Sequence, residues 1–451
     1  MTDTIPGKPK KVYTLNALRG FSAIFVVFYH MVAYGKYLDP DYLPSSFKYF
    51  YNKGQFRVLI FFIISGTVIS LSNKTGINSK NLLTYIKKRA IRIYPIYAAS
   101  LLIALLVSET VNSPATIIGN FTFLDVLVTN VISGNGPVWT LHYEIVFYLL
   151  FIPVSMLDID PLKVFLFSIF IGFLNFFLSP YLHTPIITSY FFGFTFWSLG
   201  LVIVKYFMVS KEPVQYTKLV GFLFLLISVP YLNVIKESLY KFSQVTLAHY
   251  KDFVFDGDIN RWFKIAFSMQ DFGYLPYCFM GVVLFSQRDF KYRKILFWLL
   301  QLLPAYTLCY IYKETGSVPV KKLIFPIGCY AMSWFLLFID FPLLKKVSTR
   351  IIHFLIWMGG ISYGTYIIHI PVLMLIHKVP FFSGTVFTFV IRMILYFLIT
   401  YSLAYFLENQ YQQWILRLFQ NRHAERLKNN IKQAWEYVVV KTKDTKSGSL
   451  Y

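Results

Sequence analysis

Apolar residues along this chain follow neither the strand period nor the one-sided stripe of a surface helix. They run in blocks of about 17 to 25 residues, each long enough to cross a hydrocarbon core of about 30 Å. The blocks fall at roughly 15–34, 57–72, 93–108, 139–157, 162–179, 186–204, 219–235, 267–286, 295–312, 323–340, 352–377 and 382–407. Backbone polar groups inside a bilayer must be satisfied within the segment, so blocks of this length predict helices. The fold class is therefore all-α, a polytopic transmembrane helical bundle of 10–12 spans. The range allows for the short turn at 179–185 between two blocks and for a further amphipathic stretch at 121–132 that can dip into the membrane. The divisions that follow are a short segment at 1–14, a transmembrane domain at 15–407 and a basic tail at 408–451.

Composition excludes the soluble alternative, because 56% of residues are hydrophobic and only 14% charged, against about 25% charged in a soluble domain. A net charge of +22 would suggest nucleic acid in a soluble protein, but its distribution gives another account. With the N-terminus inside, the inner segments carry twenty-eight Lys and Arg and the outer ones thirteen. That bias is the one that positive-inside topology produces, with both termini cytoplasmic and the basic segments against anionic headgroups. No nucleic-acid partner is needed. Cys278, Cys309 and Cys329 lie far apart in apolar blocks, so neither a disulfide framework nor a C-x-x-C metal site is indicated. The N-terminus lacks a small-residue cleavage site and its first block contains Arg19, so the first span is expected to be retained. The tail from 417 reads as a basic amphipathic helix lying on lipid. The longest outer segment, 236–264, is too short for a catalytic domain of its own. Chemistry must lie in or beside the bundle.

Ionisable residues inside spans are costly and usually face a cavity or a partner. Arg19 and His30 are eleven residues apart on the first span, which returns them to within about 20° of one face, about 16 Å apart along the axis. The same spacing also fits Arg19 snorkelling to the inner headgroups and His30 standing at the outer interface. Glu144 enters an apolar run just after Trp139 and Thr140; a carboxylate at that depth needs a partner, catalytic or structural. His142 and Tyr143 point at other helical angles. Ser362, Tyr366 and His369 share a face at i, i+4, i+7, and His369 falls in the same outer half as His30 and Glu144. At the cytoplasmic mouth of the third span stand Lys88, Arg89 and Arg92. Arg89 and Arg92, neighbours at i, i+3, can grip phosphate, or can be ordinary flanking charge.

The segments LRGFSAIFVVFYH (18–30), RVLIFFIISGTVIS (57–70), KKRAIRIYP (87–95), PVWTLHYEIVFYLLFIP (137–153) and GGISYGTYIIHIPV (359–372), in this order, resemble the acyltransferase 3 family of integral membrane acyltransferases. The resemblance implies a membrane-bound enzyme, an O-acetyltransferase of envelope polysaccharides. Such an enzyme moves an acyl group, commonly acetyl, from cytoplasmic acyl-CoA to a hydroxyl of an extracytoplasmic glycan, without a metal. It makes His30 the catalytic base or transient acyl carrier, Glu144 the acidic residue of the tryptophan motif, and Arg89 with Arg92 the R-x-x-R pair that holds CoA, with Lys88 beside them. It also marks Arg19, Ser65, Gly66, Tyr363 and His369 as supporting residues, with Tyr366 on the same face. On this reading Glu144 orients His30 and Trp139 packs the acceptor sugar. Thr140 stands where a serine is common, which keeps the hydroxyl. The implied setting is a bacterial inner membrane and the partners are acyl-CoA, a glycan or lipid-linked glycan, and the bilayer. A transporter or flippase of a glycan or lipid intermediate is the alternative class; its expected mark, two related halves with interrupted helices, is not visible in the sequence.

Overall fold

The computed structural model describes residues 13–50, 54–182, 184–210, 212–248, 266–339 and 341–419. The expected N-terminal segment up to residue 12, much of the outer segment 236–264 and the basic tail from 420 lie outside the described residues. The chain is an all-α bundle. Its helices are α1 (Tyr13–Ala33), α2 (Gln55–Ser72), α3 (Leu82–Val107), α4 (Pro114–Phe121), α5 (Trp139–Met156), α6 (Pro161–Leu182), α7 (Pro185–Tyr206) and α8 (Tyr216–Ser228). They continue with α9 (Val234–Ala248), α10 (Leu275–Phe285), α11 (Arg293–Thr315), α12 (Val320–Phe338), α13 (Pro342–Gly360), α14 (Ser362–His377) and α15 (Val386–Phe406).

Among the described residues nine helices are long and apolar enough to cross a membrane, namely α1, α2, α3, α5, α6, α7, α11, α12 and α15. The remaining three blocks are helical in a different way. Block 219–235 holds the 13-residue α8, and 267–286 holds a six-residue 3-10 segment leading into the 11-residue α10. Block 352–377 breaks at Ile361, where α13 and α14 meet at 72°. The expected boundary at 407 falls within one helix, because α15 passes through a π turn at Leu407–Tyr411 and runs on to Phe419.

Several contacts fix which ends share a side. A two-residue antiparallel ladder pairs Met208 with Asp289 and Val209 with Arg288, and the Arg288 guanidinium caps the end of α7 by donating to the carbonyls of Val204 and Phe207. On the same side Asp160 accepts from Lys205 Nζ at 2.7 Å and Tyr206 Oη at 2.6 Å, which holds its carboxyl well below the usual carboxylate range. At the other side His377 meets Glu109 at 3.3 Å and Lys378 donates to Leu106 O. These pairings join the segments that the charge bias assigned to one side in each case. The amphipathic stretch 121–132 packs along α3: Phe123 stacks on Tyr97 with ring centroids 4.4 Å apart, about 15 Å along that helix from its end at Val107.

Two buried clusters make up the core, and α1 belongs to both. Leu15, Leu18 and Phe21 pack with α2, α7, α8 and α10, while Val26, Val27 and Met31 pack with α3 and α14. Close contacts set α1 and α2 in place. A Cβ on Gly20 would meet Leu355 O at 2.1 Å, and one on Gly66 would meet Trp197 O at 2.0 Å, so only glycine lets these backbones approach, as is common between membrane helices.

Arg392, a cation inside α15, is satisfied by backbone carbonyls. Its guanidinium is buried and donates to the carbonyls of Leu38, Val379 (2.6 Å), Phe382 (3.0 Å) and Ile376 (2.7 Å), closing the end of α14 and binding it to α15 and the chain after α1. Arg392→Leu removes the guanidinium donors from four carbonyls, of which Ile376 O keeps the Val379 N–H, so we expect a loss of about 3 kcal/mol or more. The check is thermal unfolding in detergent. An unchanged midpoint would show that water or relaxation replaces these bonds.

Candidate active site

Between the two clusters, α1, α2, α3, α5 and α14 surround a cavity of about 950 Å³, counting its open mouth. Its side nearest the start of α14 is rich in guanidinium groups. Arg92, on α3, donates Nη1 to Glu408 Oε2 at 2.5 Å, and Glu408 Oε1 accepts the Gly364 N–H at 3.0 Å. One turn earlier Arg89 donates Nη2 to Ser72 Oγ at 3.0 Å and lies over the Tyr148 ring at 5.9 Å. Arg19 lines the same space from α1, in the electrostatic field of Arg92, Glu408 and Glu144. Tyr363 also lines it and donates its hydroxyl to Ile93 O at 2.8 Å.

Glu144 lines the cavity from α5. Its Oε1 accepts from Ser65 Oγ at 2.8 Å and from the hydroxyl of Tyr148 one turn along the same helix. Ser65 and Tyr148 are themselves 3.0 Å apart, so two hydroxyls hold one oxygen of the carboxylate. Tyr366 and Thr140 line the cavity too. Thr140 Oγ1 is 2.9 Å from the Tyr366 hydroxyl, which in turn donates to Pro137 O at 3.2 Å.

One turn further along α14 is the pair that completes the arrangement: His369 Nε2 lies 2.9 Å from His30 Nδ1. The rings of Tyr366 and His369 are 6.0 Å apart, so Tyr366 touches both the cavity and the histidine pair. His369 is fully buried, and its Nδ1 makes no hydrogen bond to any described residue. Either ring can be the donor in this pair, according to the tautomers of the two imidazoles. When His30 carries its proton on Nδ1 it donates to His369 Nε2, and its own lone pair is then on Nε2. An imidazole held in that state can take a proton or attack a carbonyl.

The cavity thus brings together Arg19, Arg89, Arg92, Glu144, Tyr363 and Tyr366, and His30 joins His369 beside it. The geometry corrects one expectation and leaves two other residues outside the cavity lining. Glu144 is bonded to Ser65 and Tyr148, and it is His369 that bonds His30. Trp139 is absent from the cavity lining and packs its ring against Tyr143 and Phe267. Lys88 is exposed and outside the lining. Tyr148 went unnoticed in sequence although its i+4 spacing from Glu144 was a usable signal; Glu408 had none. Among the described residues no group of three or more His, Cys, Asp or Glu is arranged to hold a metal ion.

A bundle with this cavity defines an integral, multi-pass membrane protein with an internal polar site. The acyltransferase 3 family, described as an acyltransferase domain, matches residues 12–309. The chain belongs to that family and is a membrane acyltransferase. No curated protein and no solved structure gives a significant match. The matched region holds α1, α2, α3 and α5 with their arginines, His30 and Glu144; α14 and Glu408 complete the site from beyond it.

Proposed function

We propose that this enzyme transfers an acyl group, acetyl in the simplest case, from cytoplasmic acyl-CoA to a hydroxyl of an extracytoplasmic glycan, in a bacterial inner membrane. The observation that carries the reading is the polarity of the site, with three guanidinium groups toward one end of the cavity and the histidine pair past the other. Arg19, Arg89 and Arg92 meet the phosphates of CoA, and the pantetheine arm runs up the cavity past Glu144. The open oxygen of that carboxylate accepts an N–H from the arm. Lys88, on the surface, adds long-range attraction without contact.

The acyl carbonyl then reaches the histidines after Tyr366 moves aside. In the direct form, His30 Nε2 removes the proton of the acceptor hydroxyl as its oxygen attacks the thioester carbon. The C–S bond breaks, and the imidazolium returns the proton to the sulfur. In the two-step form, Nε2 itself attacks the thioester carbon, the C–S bond breaks and CoA leaves as the thiolate; the acceptor oxygen then displaces the imidazole from the acyl carbon, and the hydroxyl proton passes to the freed Nε2. Both use the same lone pair, and His369 supports both by fixing the tautomer and sharing positive charge.

The test is ester-linked acyl content of the envelope polysaccharides, released by mild alkali and read by mass spectrometry. The strains are a host deleted for this chain and the same host restored with wild type or His30→Ala at matched expression. Loss on deletion, recovery with wild type and failure with His30→Ala is the expected pattern. Equal ester content in all strains would remove the glycan as acceptor in that host.

A further inference from the structure

We propose that Glu408 is a positioning residue of the donor site, acting through Arg92; this rests on the reading that Arg92 meets the phosphates of acyl-CoA. Glu408 stands in the π turn Leu407–Tyr411, a local widening that often marks functional positions in helices. Its side chain is 2% exposed whereas that of its partner Arg92 is 42% exposed. The asymmetry defines the roles: the carboxylate is the fixed, buried member, and it holds Nη1 while the rest of the guanidinium faces the cavity.

The other carboxylate oxygen accepts Gly364 N–H, in the first turn of α14 and just after the 72° bend at Ile361. One buried side chain from the last helix therefore ties the arginine of α3 to the start of the helix that carries Tyr363, Tyr366 and His369. The nearby hydrogen bond from Gln412 Nε2 to Ile91 O seats the π turn on α3 a second time. A guanidinium anchored along one edge presents its other edge to a phosphate without first losing side-chain freedom.

Two consequences of removing the carboxylate oppose each other. Losing the anchor weakens phosphate binding, and losing a negative charge attracts the anionic donor more strongly. Because Arg92 is partly solvated, the second effect is screened, so orientation is expected to dominate. Glu408→Gln in the full chain, reconstituted in nanodiscs with acetyl-CoA, should raise the donor KM about tenfold while kcat stays within about threefold. In an Arg92→Gln background the same substitution should change KM by less than about twofold, since its route is already cut.

A KM that falls with a steeper salt dependence would make Glu408 a competing counter-charge and overturn the proposal. Equal effects in both backgrounds, or a loss confined to kcat, would overturn it too. If Glu408→Gln does not fold, Arg92→Lys serves in its place. An ammonium cannot bridge Glu408 and a phosphate in the same planar way, and an unchanged donor KM in that variant would sink the idea. Absence of saturable use of acetyl-CoA by wild type would instead count against the donor assignment itself.

Discussion

His30→Ala is expected to lower acyl transfer by about 10³-fold or more, with expression and melting midpoint close to wild type. General-base assistance alone is worth about 10² to 10⁴, and a covalent carrier has no substitute at all. The fold should tolerate the change because His30 is a partly exposed residue whose hydrogen bond is to another side chain. His369→Ala should cost less, about 10 to 100-fold, as is usual for a group that orients another. Removing it leaves His30 Nδ1 without its partner at 2.9 Å and frees the ring to adopt either tautomer. His369→Gln retains an amide oxygen near the same place and should recover part of the loss. Brief reaction with radiolabelled acyl-CoA followed by a mild quench separates the two chemical forms. Label retained on wild type and lost with His30→Ala marks the carrier route. Turnover by His30→Ala within tenfold of wild type would end the role of this histidine in either form.

Most of the helices were legible because their cause is local: a bilayer demands uninterrupted apolar runs, and each of the twelve blocks holds helix. The misreadings are also physical. The run from 352 to 377 is equally apolar on both sides of Ile361, so hydropathy carries no mark of a bend of 72°. The same blindness lengthened α8 and α10, whose blocks include turn and 3-10 residues of similar hydrophobicity. For the site, Arg19, His30, Glu144 and His369 stood out because a charge or an imidazole in an apolar run requires a reason, and Arg89 with Arg92 as an i, i+3 pair at the mouth of a span. Their pairing did not. His30 and His369 are 339 residues apart and Arg92 and Glu408 316 apart, and depth in the membrane cannot tell contact from coincidence. Glu408 was hidden for a different reason: at the end of the last apolar run, beside Asn409 and Gln410, it has the look of an interfacial residue.

Glu144→Gln isolates the charge of the cavity from its packing. The carboxamide keeps an oxygen that can accept from both Ser65 and Tyr148, so the hydroxyl pair and the α2–α5 contact stay in place and the melting midpoint should shift little. One negative charge is lost from a space lined by Arg19, Arg89 and Arg92. If the proposed base forms an imidazolium in the transition state, a unit charge on the order of 10 Å away at an effective dielectric near 20 contributes about 1.7 kcal/mol. Its removal should slow kcat about twentyfold. Loss of the contact to the pantetheine arm adds to this, so kcat/KM is expected to fall by about 10². Ser65→Ala offers the comparison, because it removes one hydroxyl from the carboxylate and leaves the charge; it should cost less than tenfold. The measurement is steady-state transfer by both variants alongside thermal unfolding of each. Should Glu144→Gln turn over at the wild-type rate while melting far lower, the carboxylate belongs to the architecture of the bundle, and the electrostatic account of the cavity must rest on its arginines alone.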